Sequence, residues 1–127
     1  MVALRLVAAL IWPTINDVQT GATPEYPDLV AQRFPKPAEQ VFAAAVVVAH
    51  DMELDITDQA PEKGEIRAVA TTRVFRFKDD VTIQVARDGT STVVNMHSKS
   101  RIGKGDLGAN ARRIREFQAR LAEKLKT

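Results

Sequence analysis

The sequence predicts an α+β two-layer domain: a four-stranded antiparallel sheet with two helices on one face, in the order α-β-β-β-β-α. Three observations predict it. Apolar residues recur at helical spacing around residues 37–52 and again over 106–126. Between these stretches, alternation of period two appears in four short runs separated by turn chemistry. Each run is apolar on one side and largely polar on the other, as in an antiparallel sheet covered on one face.

Residues 1–35 read as an N-terminal apolar segment and a Pro-rich extended arm, and residues 36–127 as a single α+β domain. The first twelve residues are apolar apart from Arg5. The run 6–12 is far shorter than the roughly 20 residues a bilayer-spanning helix takes. It reads either as a short signal or anchor remnant, or as a segment that packs on the domain. Pro13, Pro24, Pro27, Pro35 and Pro37, with Asn16-Asp17 and Thr20-Gly21, make residues 13–37 irregular.

The first helix begins near Pro37, whose fixed φ suits the first helical position. Val41, Ala45, Val48, Ala49 and Met52 form its buried face, and the surrounding alanines outweigh the β-branched Val46-Val47-Val48. His50 sits at the helix end, where the dipole favours a cation. A strand over residues 53–57 turns Leu54 and Ile56 to one side, and a turn follows at 60–64. The next strand, 65–72, carries Ile66, Ala68 and Ala70 on one face. Val81, Ile83 and Val85 alternate in the third, and Asp88-Gly89 is a strong hairpin signal. The fourth turns Val94, Met96 and Ser98 one way and Val93, Asn95, His97 and Lys99 the other. The last helix is expected from Asp106, a good N-cap, to about Lys126. Its stripe is Leu107, Ala111, Ile114, Leu121 and Leu125, with Phe117 beside it.

Composition narrows the chemistry. At 127 residues with 45% hydrophobic and 27% charged residues, the chain is ordinary for one globular domain. It contains no cysteine and two histidines, which excludes disulfides, thiolate nucleophiles and Cys- or His-rich metal sites. No cofactor or metal is expected. Net charge is +2, unevenly spread: residues 97–127 hold nine Lys/Arg against three acids, and residues 1–96 hold nine against thirteen. A basic C-terminal end suits a small anion, anionic lipid or simply a solvated helix face. Nucleic acid is disfavoured, because aromatics total 6% and no RNP, KH or helix-turn-helix pattern appears.

Gly103-Lys104-Gly105-Asp106-Leu107-Gly108 spells G-x-G-x-x-G, but the Rossmann mechanism needs a βαβ unit with an acid about 20 residues on. Here 19 residues follow Gly108 and read as one helix, so no crossover forms. The loop around it offers a different site. Ser98, Ser100, Arg101, Lys104 and Asn110 lie close to a helix start, whose free amides attract anions. The alternative is structural: the glycines permit the backbone, and Asp106 caps the helix. Asp79-Asp80 suggests an acid/base pair, yet neighbours on a strand point to opposite faces. Asp80 is expected to pair with Arg101 or Arg73. The polar sheet face, with Arg67, Thr71, Gln84, Asn95 and His97, reads as a ligand platform or as wetted surface.

Three stretches carry a family resemblance: Gly64-Glu65-Ile66-Arg67-Ala68, the run from Thr72 to Val81, and the run from Ser98 to Ile114. Together with Asn16-Asp17-Val18 they resemble the bacterial and plastid family called domain of unknown function 1499. Thr72, Phe77, Asp79, Asp80, Ser98, Ser100, Arg101, Gly103, Asp106, Gly108, Asn110 and Arg113 match its motif positions. Where that family typically has Asp and Arg in the fourth strand, this chain has Asn95 and His97. The resemblance implies kinship of fold and an envelope setting, and it brings no activity with it. The expectation is a non-enzymatic binding module of the cell envelope with an anion or lipid-headgroup site at residues 98–108. The alternatives are a hydrolase using Asp80 and Arg101, and a purely structural partner protein.

Overall fold

A computed structural model describes residues 15–73, 75–102 and 108–126. The elements are β1 (Asp17–Gln19), β2 (Gln32–Phe34), α1 (Ala38–Asp51), β3 (Asp55–Ala60), a 3-10 turn (Pro61–Lys63), β4 (Glu65–Thr71), β5 (Lys78–Asp88), β6 (Ser91–Ser100) and α2 (Ala109–Lys124). The domain is α+β with an antiparallel sheet, as its periodicities require. The apolar faces are those the alternation indicates. Ile66, Ala68 and Ala70 of β4, Val81, Ile83 and Val85 of β5, and Val94, Met96 and Ser98 of β6 are all buried.

The strand count is corrected from four to six. The order is β1-β6-β5-β4-β3, with β2 also paired to β6. Both extra strands come from the segment expected to be irregular. β1 pairs Val18 with Ser98, and β2 pairs Arg33 with Val93, along the same edge of β6. Three-residue strands are too short to show alternation, and a partner edge selects them rather than their own propensity. The segment between them is clamped to α2. Arg115 forms a bidentate pair with Asp28, Gln118 donates to the Val30 carbonyl and Gln32 to the Gln118 carbonyl.

The placement of the helices is also corrected: they do not share one common docking face. α1 packs against β5 and β3, α2 packs against β6 and β1, and the helices meet each other. The twist of the sheet changes strand direction from one side to the other, so each helix follows the strands beneath it.

Several boundaries shift. Glu53 and Leu54, expected to open a strand, belong instead to the closing turn of α1, so β3 starts at Asp55. α1 closes in a Schellman arrangement, in which Glu53 N–H donates to the His50 carbonyl and Leu54 N–H to the Ala49 carbonyl. Glu53 adopts φ 61° there, where glycine is usual. α2 runs from Ala109, with Gly108 at φ 80° as its N-cap. Asp106, Lys104, Gly103 and Leu107 lie outside the described residues. His50 lies in the last turn of α1, exposed and 3.9 Å from the Asp51 carboxylate.

Gly64 terminates the 3-10 turn at φ 66°, and its carbonyl accepts from the Val85 N–H at 2.7 Å. A Cβ at this position would lie 1.9 Å from the Val85 carbonyl oxygen. Gly64→Ala is therefore expected to lower stability by about 3 kcal/mol or more in urea denaturation, because left-handed backbone and overpacking add. Glu53→Gly is expected to do the reverse, raising stability by about 1 kcal/mol, since only the backbone penalty is removed.

Candidate functional site

The C-terminal end of β6 carries the residues in which the sequence placed a site, and the sheet divides them. Ser98 and Ser100 face the interior. Arg101 follows on the outer side and forks across Asp80, with Nε and Nη2 at 2.9–3.2 Å from its carboxylate oxygens. That guanidinium holds the Asp80 carboxyl below its ordinary value near 3.8. Asp79 and Asp80 point to opposite faces, and Asp79 is only 1% exposed.

Inside, a polar cluster ties three elements together. Asn110, on the first turn of α2, accepts from Ser98 Oγ at 2.6 Å and donates to Ser100 Oγ at 2.9 Å. Its amide also reaches the Asn16 carbonyl at 3.3 Å, beside the Ser100 N–H, which donates to the same oxygen at 2.7 Å. Arg113, one turn on, donates to both Ser98 Oγ and Asn110 Oδ1 at 2.9 Å. Its other terminal nitrogen stands 2.8 Å from Asp79 Oδ2. This last contact is an ion pair with poor hydrogen-bond direction, and neither Asp79 oxygen has a hydrogen-bond donor of good geometry. Thus Ser98, Ser100 and Asn110 are brought together, with Arg113 and Asp79 added, while Arg101 stands apart on the opposite face. Lys104 lies outside the described residues.

The polar face of the sheet is laced by its own side chains. Glu65 pairs with Arg67 and accepts from Gln84, which holds its carboxyl below the ordinary range, the Arg67 hydrogen bond being the main cause. Lys78 donates to Thr71, Thr20 to Asn95, and His97 contacts Asp17. Among the described residues no group of three or more His, Asp or Glu is placed to hold a metal ion.

Next to the buried cluster lies a groove of about 920 Å³. One wall is the end of α1 with Glu53. Another is the connection between β4 and β5, and the third is α2 from Ala109 to Arg120. The connection is braced: Thr72 N–H donates to the Phe77 carbonyl, Arg76 N–H to the Thr72 carbonyl, and Phe77 N–H to Thr72 Oγ1. It presents Phe75 and Phe77 with ring centroids 5.5 Å apart, stacked. Arginines enter from two walls, Arg73 and Arg76 from the connection and Arg112, Arg113 and Arg120 from α2. Acids enter at the α1 end, Asp51 and Glu53, and from α2 and β5, Glu116 and Asp79. Arg120 is paired with Glu116 and Arg113 with Asp79. Arg76 stands at φ 59°, an unusual conformation for a long side chain. The groove was not legible as such. Only the Thr72-to-Val81 motif and the basic count of the last helix pointed toward its walls.

Residues 9–121 match the family described as Protein of unknown function (DUF1499). The chain belongs to this family. In this DUF1499 protein the Thr72-to-Val81 and Ser98-to-Ile114 stretches meet at the groove through Phe77, Asp79, Ser100 and Arg113. No curated protein matches the chain. One solved structure to which it is similar is that of TTHA0849 from Thermus thermophilus. It is 13% identical, with a TM-score of 0.41, over 86% of this chain and 96% of that one.

Removing Arg113 leaves the Asp79 carboxylate buried without its counter-charge, so Arg113→Ala is expected to cost about 3–5 kcal/mol in urea denaturation. Arg101→Ala, at a solvated pair, is expected to cost a small fraction of that. Asp79→Asn combined with Arg113→Met is expected to recover part of the loss. The depressed carboxyls of Asp28 and Asp80 set a pH trend. Their contribution is complete above the ordinary aspartate value near 3.8 and is lost as pH falls through the lower folded values. Thermal melts should therefore drop on acidification below about pH 4, and Asp80→Asn should flatten that drop.

Proposed function

We propose that this protein is a non-enzymatic binding module of the cell envelope, and that its ligand is a phosphorylated or otherwise anionic amphiphile held in the groove. The observation that carries this reading is the joining of arginines from two walls with exposed phenylalanines in one concavity. A volume of about 920 Å³ is of the size that takes a small organic ligand. Guanidinium forks suit a phosphate or carboxylate, and the stacked rings with Ile102 suit an alkyl chain. This moves the anion site expected at residues 98–108 one layer sideways. Of the residues first given to that site, Ser100 lines the groove, where it is joined by Arg113, and in this reading the arginines of α2 take the part first given to Arg101 and Lys104.

The hydrolase alternative required Asp80 free in a pocket with Arg101. Asp80 is instead gripped by Arg101, and neither lines the groove. Among the described residues, no helix is long and apolar enough to cross a membrane.

Titration calorimetry with dodecyl phosphate, and with dodecyl maltoside as the uncharged comparison, tests the reading. The phosphate is expected to bind and the maltoside is not. Arg112→Ala with Arg120→Ala is expected to weaken the phosphate by about ten-fold or more, the worth of one charge-assisted contact or two. Equal binding of the two amphiphiles, or no binding of either, would sink it.

A further inference from the structure

We infer that the β4–β5 connection is a docking tip for an anionic membrane surface. Five large apolar residues are exposed among the described residues, and three of them, Phe75, Phe77 and Ile102, stand together on the groove's rim. Their exposures are 69%, 43% and 60%. Single exposed hydrophobes are ordinary, but a cluster at one end of a domain marks a contact surface. The described residues of the tip are tied to one another. Three hydrogen bonds join Thr72 to Arg76 and Phe77, and the Phe75 and Phe77 rings stack on each other.

Charge selects the partner. The run from Arg73 to Lys78 contains Arg73, Arg76 and Lys78 and no acid. Basic residues interleaved with phenylalanines match an anionic bilayer. The rings enter the boundary between headgroups and acyl chains, and the cations stay at headgroup level. A protein partner with a purely apolar pocket would leave these three cations without counter-charge. The same tip forms one wall of the groove, so an amphiphile leaving the bilayer at this point would pass directly into it.

The proposal is separate from the reading of the groove's ligand and is tested by a different measurement. The full chain is sedimented with vesicles of phosphatidylcholine alone and of phosphatidylcholine mixed with phosphatidylglycerol. Binding is expected only to the mixed vesicles and is expected to fall as salt is raised. Phe75→Ser with Phe77→Ser, and separately Arg73→Glu with Arg76→Glu, are each expected to reduce it by about ten-fold or more. Far-ultraviolet circular dichroism verifies that each variant is folded, and Ile102→Ser serves as a milder third variant. Failure of the wild type to bind mixed vesicles overturns the proposal. So does binding that both double variants retain, since that binding would belong to another part of the chain, such as residues 1–12. Dodecyl phosphate binding that persists in either case leaves the groove reading intact, and vesicle binding without dodecyl phosphate binding overturns the groove reading alone.

Discussion

Asn110 is the residue on which the arrangement turns. It is fully buried on the first turn of α2, and its amide spends both ends within the fold. The carbonyl receives Ser98 and Arg113, and the amino group reaches Ser100 and the Asn16 carbonyl. A buried amide with unmet bonds is costly, so this set of partners fixes where α2 starts, how it is rotated and how far along β6 it sits. Arg113 then falls beside Asp79, and Arg112 and Arg120 fall along the groove. Apolar packing of Ile114, Phe117 and Leu121 supplies the larger share of adhesion, but a stripe of that kind tolerates sliding and rotation. The polar cluster does not.

The same cluster joins the entry segment to the sheet. The Asn16 carbonyl is shared by Ser100 and Asn110, and β1 continues from it along β6. β2 takes up the remaining part of that edge, so both short strands cover backbone groups that β6 would otherwise expose. Thr20 extends the match: its N–H donates to the Met96 carbonyl, and its hydroxyl accepts from the Met96 N–H while donating to Asn95. The Pro-rich arm is thus ordered by the sheet and by α2, with Arg115 set over the Tyr26 ring at 5.3 Å while it grips Asp28.

At the groove, the cationic side chains come from two elements, one of which also brings the phenylalanines. The connection between β4 and β5 brings the phenylalanines and two arginines, and α2 brings three more. Acids at the end of α1 close the third side. The α1 ending has its own structural logic, the Schellman closure that places Glu53 in a left-handed conformation. Arg76 likewise closes a turn from the left-handed region, its N–H donating to the Thr72 carbonyl four residues back.

Much of the core was legible from periodicity alone. The inward faces of β4, β5 and β6, the apolar stripes of both helices and the turn at Asp88-Gly89 follow from alternation, helical spacing and left-handed turn preference. These are local signals, readable without knowing what lies across from each residue. The family was legible as well, from the stretches around Gly64, Phe77 and Ser98. What the tertiary structure alone decided are the pairings between distant segments. β1 and β2 exist because β6 offers an edge, and three residues carry no period of their own. Alternation set Ser98 on the inward face, but only the structure brings Asn110 and Arg113 across from Ser98 and Ser100 to satisfy their hydroxyls. Asp79 and Asp80 are chemically identical neighbours, and only the pleat separates a buried partner of Arg113 from a solvated partner of Arg101. The groove has walls from three segments up to about 70 residues apart, a proximity that only long-range packing creates.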